Sequence, residues 1–207
     1  MIKTKEINFN YDNQVFFKFS DINLKSGENL LILGDSGIGK TTLLHILSGL
    51  LKTNSGSIEL FGKEITQFSS FQLDRFRRDN IGVVFQRPHF INSLTVKENL
   101  QLAQYIANKK DNKRIENVLK NLNIFEKLNK NINELSQGEK QRVSIALAIV
   151  NSPKLILADE PTSSLDDGNT FNVIKLLKKQ ASDFGAQLIV ITHDRRLMEH
   201  FKKYIEL

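Results

Sequence analysis

Apolar and polar positions along this chain change their period several times, and each change marks an element. Ile2 to Asn10 alternates, Val15 to Phe19 is rich in aromatics, and Asp21 to Lys25 alternates again before the turn Ser26-Gly27-Glu28. A period of two belongs to half-buried strands, so this stretch predicts a β-meander. It leads into Asn29 to Leu33, an apolar run of strand length. Leu43, Leu44, Ile46, Leu47 and Leu50 then recur at helical spacing. Lys52-Thr53-Asn54-Ser55-Gly56 is a turn cluster. Ser57 to Phe61 predicts a strand, Gly62-Lys63 a turn, and Gln72 to Arg78 a basic helix. Ile81 to Phe85 reads as a buried strand, with Pro88 stopping regular structure just beyond it.

From about Phe90 to Val150 the pattern is mostly helical. Thr95 and Glu98 have capping-box spacing at the start of a helix running to about Ala107, and a further helix is predicted over Lys113 to Leu122. Ser136-Gln137-Gly138-Glu139 is a second capping box. It opens a helix carrying Val143, Ile145, Ala146, Leu147 and Ile149, which Pro153 ends. Leu155 to Ala158 and Leu188 to Ile191 are buried-strand runs. Between them Thr170 to Phe184 predicts an amphipathic helix closed by Gly185. Strands alternating with helices predict an α/β core built on a parallel sheet. The helical stretch, residues 87–153, is expected as an insertion between core segments 1–86 and 154–207 of a single domain.

Composition narrows the partners. The 207 residues hold 29 Lys+Arg against 23 Asp+Glu, a net charge of +6. That balance suits nucleic acid, an anionic membrane surface or a polyphosphate. The cations are scattered, apart from small clusters at Arg75 to Arg78 and Lys109 to Arg114, so nucleic-acid binding is not expected. Cysteine is absent, which excludes disulfides and thiolate metal sites. No apolar run approaches the roughly 20 residues of a membrane-spanning helix, and Met1 to Glu6 lacks a signal-peptide core. The expected location is cytoplasmic.

One stretch carries specific chemistry. Gly34-Asp35-Ser36-Gly37-Ile38-Gly39-Lys40-Thr41-Thr42 fits the phosphate-binding pattern G-x-x-x-x-G-K-[ST] between a predicted strand and a predicted helix. Glycines let successive backbone N–H groups point into one concavity, and the helix adds its positive dipole end. Lys40 would reach the β- and γ-phosphates of a nucleotide, and the Thr41 hydroxyl would hold Mg²⁺. Leu155 to Glu160 is an apolar strand ending in two carboxylates, and strand carboxyl ends face the ligand crevice in open α/β sheets. Asp159 would support the Mg²⁺ shell there, with Glu160 as general base toward an attacking water. Gln86 follows a buried strand and offers an amide oxygen to Mg²⁺ or water. His193 follows another and could hydrogen-bond a γ-phosphate oxygen.

Taken together these stretches resemble the ATP-binding subunit of an ABC transporter, nearly from end to end. Gly34 to Thr42 matches the Walker A motif, Leu155 to Asp159 the Walker B motif, and Glu160 the catalytic carboxylate. Gln86 matches the Q-loop, Ser164-Leu165-Asp166 the D-loop, His193 the switch histidine, and Tyr11 the aromatic that stacks on adenine. Leu135-Ser136-Gln137-Gly138-Glu139 resembles the signature loop, usually Leu-Ser-Gly-Gly-Gln. Gln137 and Glu139 depart from it, adding a side chain and a negative charge at a helix end where phosphate would approach.

The resemblance implies a P-loop, RecA-like core with an N-terminal antiparallel β subdomain and an inserted helical subdomain. It implies a head-to-tail homodimer holding two MgATP, each touching one chain's phosphate loop and the other's Ser136, with Gln137, Gly138, Glu139 and Asp166 also among the ATP-binding residues. It also implies a partner integral-membrane permease and a place on the inner face of the cell membrane. Docking is expected near Arg87 to Leu94, with Phe90 and Ile91 as exposed apolar contacts. The segment Ala158 to Asp166 is most similar to the lipoprotein-release and macrolide-export group. A cell-division type of ATPase that gates an enzyme across the membrane, and a soluble ABC protein acting on nucleic acid or ribosome, stand as alternatives.

Overall fold

The computed structural model describes residues 1–11, 15–163 and 167–207, with 167–169 described by backbone only. In chain order the strands and helices are β1 (Ile2–Tyr11), β2 (Val15–Lys18), β3 (Asn23–Leu24), β4 (Asn29–Leu33), α1 (Lys40–Leu47), β5 (Ser55–Leu60), β6 (Lys63–Glu64) and α2 (Ser70–Asn80). They continue with β7 (Ile81–Val84), α3 (Val96–Ile106), α4 (Asn112–Asn121), α5 (Gln137–Ile149), β8 (Leu155–Asp159), α6 (Asp167–Asp183), β9 (Gln187–Thr192) and β10 (Tyr204–Glu206).

Two sheets form. The parallel sheet runs in the order β10-β4-β9-β8-β7, and the antiparallel one in the order β2-β1-β5-β6, with β3 also on β1. The inner strands β4, β8 and β9 are buried on both faces, which explains their unbroken apolar runs. Their residues still sort with a period of two. Leu31, Leu33, Ile156, Ala158, Leu188 and Val190 join a cluster with α3, α4, α5 and α6. Leu30, Ile32, Leu155, Leu157, Ile189 and Ile191 join a second cluster with α1 and the antiparallel sheet.

The predicted meander is corrected in its connectivity. After β2 the return arm stays on the same edge of β1, with Phe19 N–H donating to Ile7 O at 3.0 Å and β3 pairing at Ile2 and Lys3. β4 then leaves for the parallel sheet, and the other edge of β1 is taken by β5, which arrives only after α1. The alternation in β1 restarts because its pairing with β5 shifts register between Lys5 and Asn8, where Glu6 has φ +51°. A bulge adds one residue and so flips the faces beyond it.

Helix ends differ from expectation for local reasons. α1 stops at Leu47, since Gly49 at φ +71° turns the chain, and Leu50 is exposed rather than on the apolar stripe. α2 starts earlier than predicted because Ser69 and Gln72 form a capping box. The boxes at Thr95/Glu98 and Ser136/Glu139 form as expected. Phe90 is half-buried against the helical cluster, which corrects its expected exposure, whereas Ile91 is 46% exposed.

Helix α5 approaches strand β7 closely at Gly82, where an added Cβ would lie 2.0 Å from the Ala148 carbonyl oxygen. Backbone cannot give way there. Gly82→Ala should destabilise the fold by about 1–3 kcal/mol, a fall in Tm of roughly 3–10 °C for a chain of this size, measured by thermal circular dichroism.

Candidate functional site

The carboxyl end of the parallel sheet gathers the predicted residues. β4 delivers the loop, where Gly37 and Gly39 take φ +85° and +101°, conformations that L side chains rarely adopt. Asp35, Ser36, Gly37 and Ile38 are exposed, while Gly39, Lys40 and Thr42 are buried. Lys40 opens α1 and folds back over the loop. Its Nζ donates to Gly34 O at 2.7 Å and Asp35 O at 2.9 Å, and lies 3.5 Å from Glu160 Oε1.

Thr41 Oγ1 donates to Asp159 Oδ2 at 2.9 Å, tying the loop helix to the end of β8 across 118 residues of sequence. The other oxygen, Oδ1, is buried and has no hydrogen-bond partner among the described residues. Burial raises the Asp159 pKa above the ordinary aspartate value, against the Thr41 hydrogen bond, which lowers it.

Glu160 follows with φ +44°, its N–H bonded to Ile191 O at 2.8 Å. That backbone turns the side chain toward the end of β9. There its carboxylate accepts from the Thr192 hydroxyl at 2.9 Å and from His193 N–H at 3.1 Å, and meets His193 Nδ1 at 2.9 Å. His193 is 55% exposed at its side chain, so the part of its ring away from Glu160 is open to solvent. Tyr11 is 44% exposed, lies edge-on to Phe9 and Phe17, and its hydroxyl is 3.3 Å from Thr42 Oγ1.

Other predicted residues are not in this cluster. Gln86 is exposed just past β7, the strand on the far edge of the sheet from the loop strand. Ser136, Gln137 and Gly138 are exposed at the start of α5, with Glu139 half-buried. Ser136 Oγ accepts from Glu139 N–H at 3.3 Å, and Glu139 Oε2 from Ser136 N–H at 2.8 Å. Asp166, with Ser164 and Leu165, lies outside the described residues.

Three residues escaped the reading of the sequence. Thr192, fully buried, orients Glu160; its position immediately before His193 was the available signal. Phe17 lies where a Cβ on Gly39 would be, at 2.6 Å, so the hairpin covers the loop. Gln141 Nε2 donates to Pro161 O at 3.0 Å, fastening α5 to the segment after Glu160. Neither of the last two has a sequence signal, because each is a contact between distant segments.

A glycine loop at a helix start, a buried lysine within it, and two carboxylates at the end of β8, one strand removed from the loop strand, define a P-loop nucleotide site. Residues 17–163 match the family described as ABC transporter. The lipoprotein-releasing system ATP-binding protein LolD of Buchnera aphidicola is 37% identical over 206 residues, covering 96% of this chain and 90% of its own. The macrolide export ATP-binding/permease protein MacB of Campylobacter jejuni is 38% identical over the whole chain, which spans 33% of MacB. A solved dimer of the ATP-binding cassette MJ0796 in a post-hydrolysis state, bound to ADP and Pi, superposes with a TM-score of 0.89 at 32% identity, covering 100% of this chain and 94% of that one. The chain therefore belongs to the ABC transporter family, as an ATP-binding subunit with ATPase activity.

The raised Asp159 pKa makes a sign prediction. The native state holds this proton to higher pH than the unfolded chain does, so stability falls as pH climbs from the ordinary aspartate range through the raised native value. Asp159→Asn should remove that decline in nucleotide-free protein, read as urea midpoints across pH.

Proposed function

We propose that the protein binds MgATP between two head-to-tail copies of itself and uses hydrolysis to drive a partner integral-membrane permease in export or substrate extraction. The observation that carries it is the cluster of Lys40, Thr41, Asp159 and Glu160 at the carboxyl end of the parallel sheet. Binding would exchange the Gly34 and Asp35 carbonyls around Lys40 Nζ for β- and γ-phosphate oxygens. The loop from Gly34 to Thr42 would supply N–H donors, and Tyr11 would stack on adenine.

Thr41 and Asp159 suit Mg²⁺, a cation that takes oxygen ligands. Asp159 Oδ1 supplies an acceptor that the described residues leave unused. Gln86 would complete the shell as the lobes close. Bound there, Mg²⁺ would neutralise charge on the phosphates. Glu160, held by Thr192 and His193, would orient water and take its proton, with His193 reaching the γ-phosphate.

Ser136 to Glu139 and Asp166 would serve the other copy's ATP. Gly138 supports this: among the described residues an added Cβ meets nothing within 4 Å, and its φ is not positive, so neither crowding nor backbone strain there calls for glycine. The MJ0796 cassette, solved as a dimer, supports the same assembly.

For the permease we favour a groove of about 720 Å³ between α2, β7 and α3. Phe71 and Ile106, 77% and 60% exposed, line it with Phe85, and Arg75 adds positive charge beside the Arg77–Asp74 and Arg78–Asp79 pairs. A short cytoplasmic segment with an apolar face and acidic residues fits that lining. Among the described residues no helix is long and apolar enough to cross a membrane, so attachment to the inner face of the membrane would come from this contact. The 87–153 segment would then be the lobe that moves.

Glu160→Gln should keep ATP binding, lose about 10²–10⁴-fold in turnover, and form an ATP-dependent dimer by light scattering. Normal turnover would remove Glu160 as the base. Phe71→Asp with Ile106→Asp should abolish co-purification with the permease while leaving the circular dichroism spectrum unchanged.

A further inference from the structure

Glu139 puts a carboxylate in the first turn of α5, the helix end assigned above to the partner copy's triphosphate. Unopposed, that charge would repel an arriving phosphate. It is opposed on both oxygens. Oε2 accepts the Ser136 N–H at 2.8 Å, and Oε1 lies 3.1 Å from Lys127 Nζ. The two side chains are 31% and 25% exposed, so the pair is half-sheltered from solvent screening.

Lys127 is not a free surface lysine by position. It closes the 3₁₀ turn Phe125–Lys127, with its N–H on Ile124 O at 3.0 Å and its carbonyl accepting from Lys130 N–H at 2.9 Å. The next residue, Leu128, accepts from Lys97 of α3 at 2.9 Å. The turn is thereby fixed between α4 and α3, and the ammonium is presented to the start of α5. The Glu139 carboxyl is held below the usual glutamate range, first by the Ser136 N–H and then by Lys127, and so is ionised at neutral pH.

This arrangement sorts the donors at the helix start. Glu139 occupies the Ser136 N–H, and Ser136 Oγ occupies the Glu139 N–H. The N–H groups of Gln137 and Gly138, the first two of the helix, have no acceptor within it. They and the Ser136 hydroxyl proton are what the helix offers to an anion.

We propose that Lys127 is a positioning residue for the ATP contact made across the dimer: it neutralises Glu139 and holds that carboxylate on Ser136 N–H, turned away from the nucleotide. The assignment depends on the composite site described above. Lys127 itself need not touch ATP. Its effect passes through Glu139, so it should vanish when Glu139 carries no charge.

The test is a double-mutant cycle on the ATP-dependent dimerisation of the Glu160→Gln protein, followed by sedimentation velocity with MgATP. Lys127→Met, which keeps the apolar stem, should raise the dimer Kd about five- to twenty-fold, because a half-exposed pair is worth up to about five-fold and two-fold symmetry counts it twice. Lys127→Arg should restore the value to within about two-fold. With Glu139→Gln present, Lys127→Met should shift Kd by less than about two-fold. An equal shift in both backgrounds, or none in either, overturns the proposal while the dimer stands. Failure of the Glu160→Gln protein to dimerise at all removes the composite site, and the role of Lys127 with it. Thermal midpoints of all variants separate a loss of folding from a loss of closure.

Discussion

A lysine ammonium held out of water sets the shape of the site. Lys40 is 7% exposed, and an unpaired charge so placed would cost several kcal/mol. Two consecutive loop carbonyls, Gly34 and Asp35, and the distant Glu160 surround it. The carbonyls curl the loop around the side chain. Glu160 is in turn fixed by the hydroxyl and amide of the β9 end. The charge thus ties the ends of β4, β8 and β9 into one arrangement, and in the proposed complex phosphate oxygens would take the place of the loop carbonyls.

Much of this was legible in the sequence because it is local. Gly34 to Thr41 is a contiguous pattern, and Asp159, Glu160 and His193 each close an apolar strand run, so the sheet alone brings them together. The capping boxes at Thr95 and Ser136 were equally readable, since their partners are three residues apart. What failed needed distant partners. β10 is a three-residue edge strand whose register is set by β4, and nothing in Tyr204 to Glu206 alternates clearly enough to announce it. The connectivity around β1 was misread because β5, which claims its second edge, lies beyond the phosphate loop. Phe90 follows a proline in a loop, which suggested exposure, but the buried helical cluster takes it in.

The glycines divide along the same line. Gly39 is required from within, by a positive φ and by the Phe17 ring against it. Gly82 is required by a backbone carbonyl of α5. Gly138 answers to neither constraint. Among the described residues nothing crowds it, which fits the contact proposed above for the other copy's nucleotide. Ser136, Gln137 and Glu139 sit in that same turn, and there the chain carries its departures from the usual family pattern.

The strict sorting of β4 has a mechanical consequence. Leu30 and Ile32 are lodged in one cluster, Leu31 and Leu33 in the other. A tug on the phosphate loop therefore cannot be absorbed on one side of the sheet. It is transmitted into both halves of the molecule at once, and the strand acts as a shared axle between them.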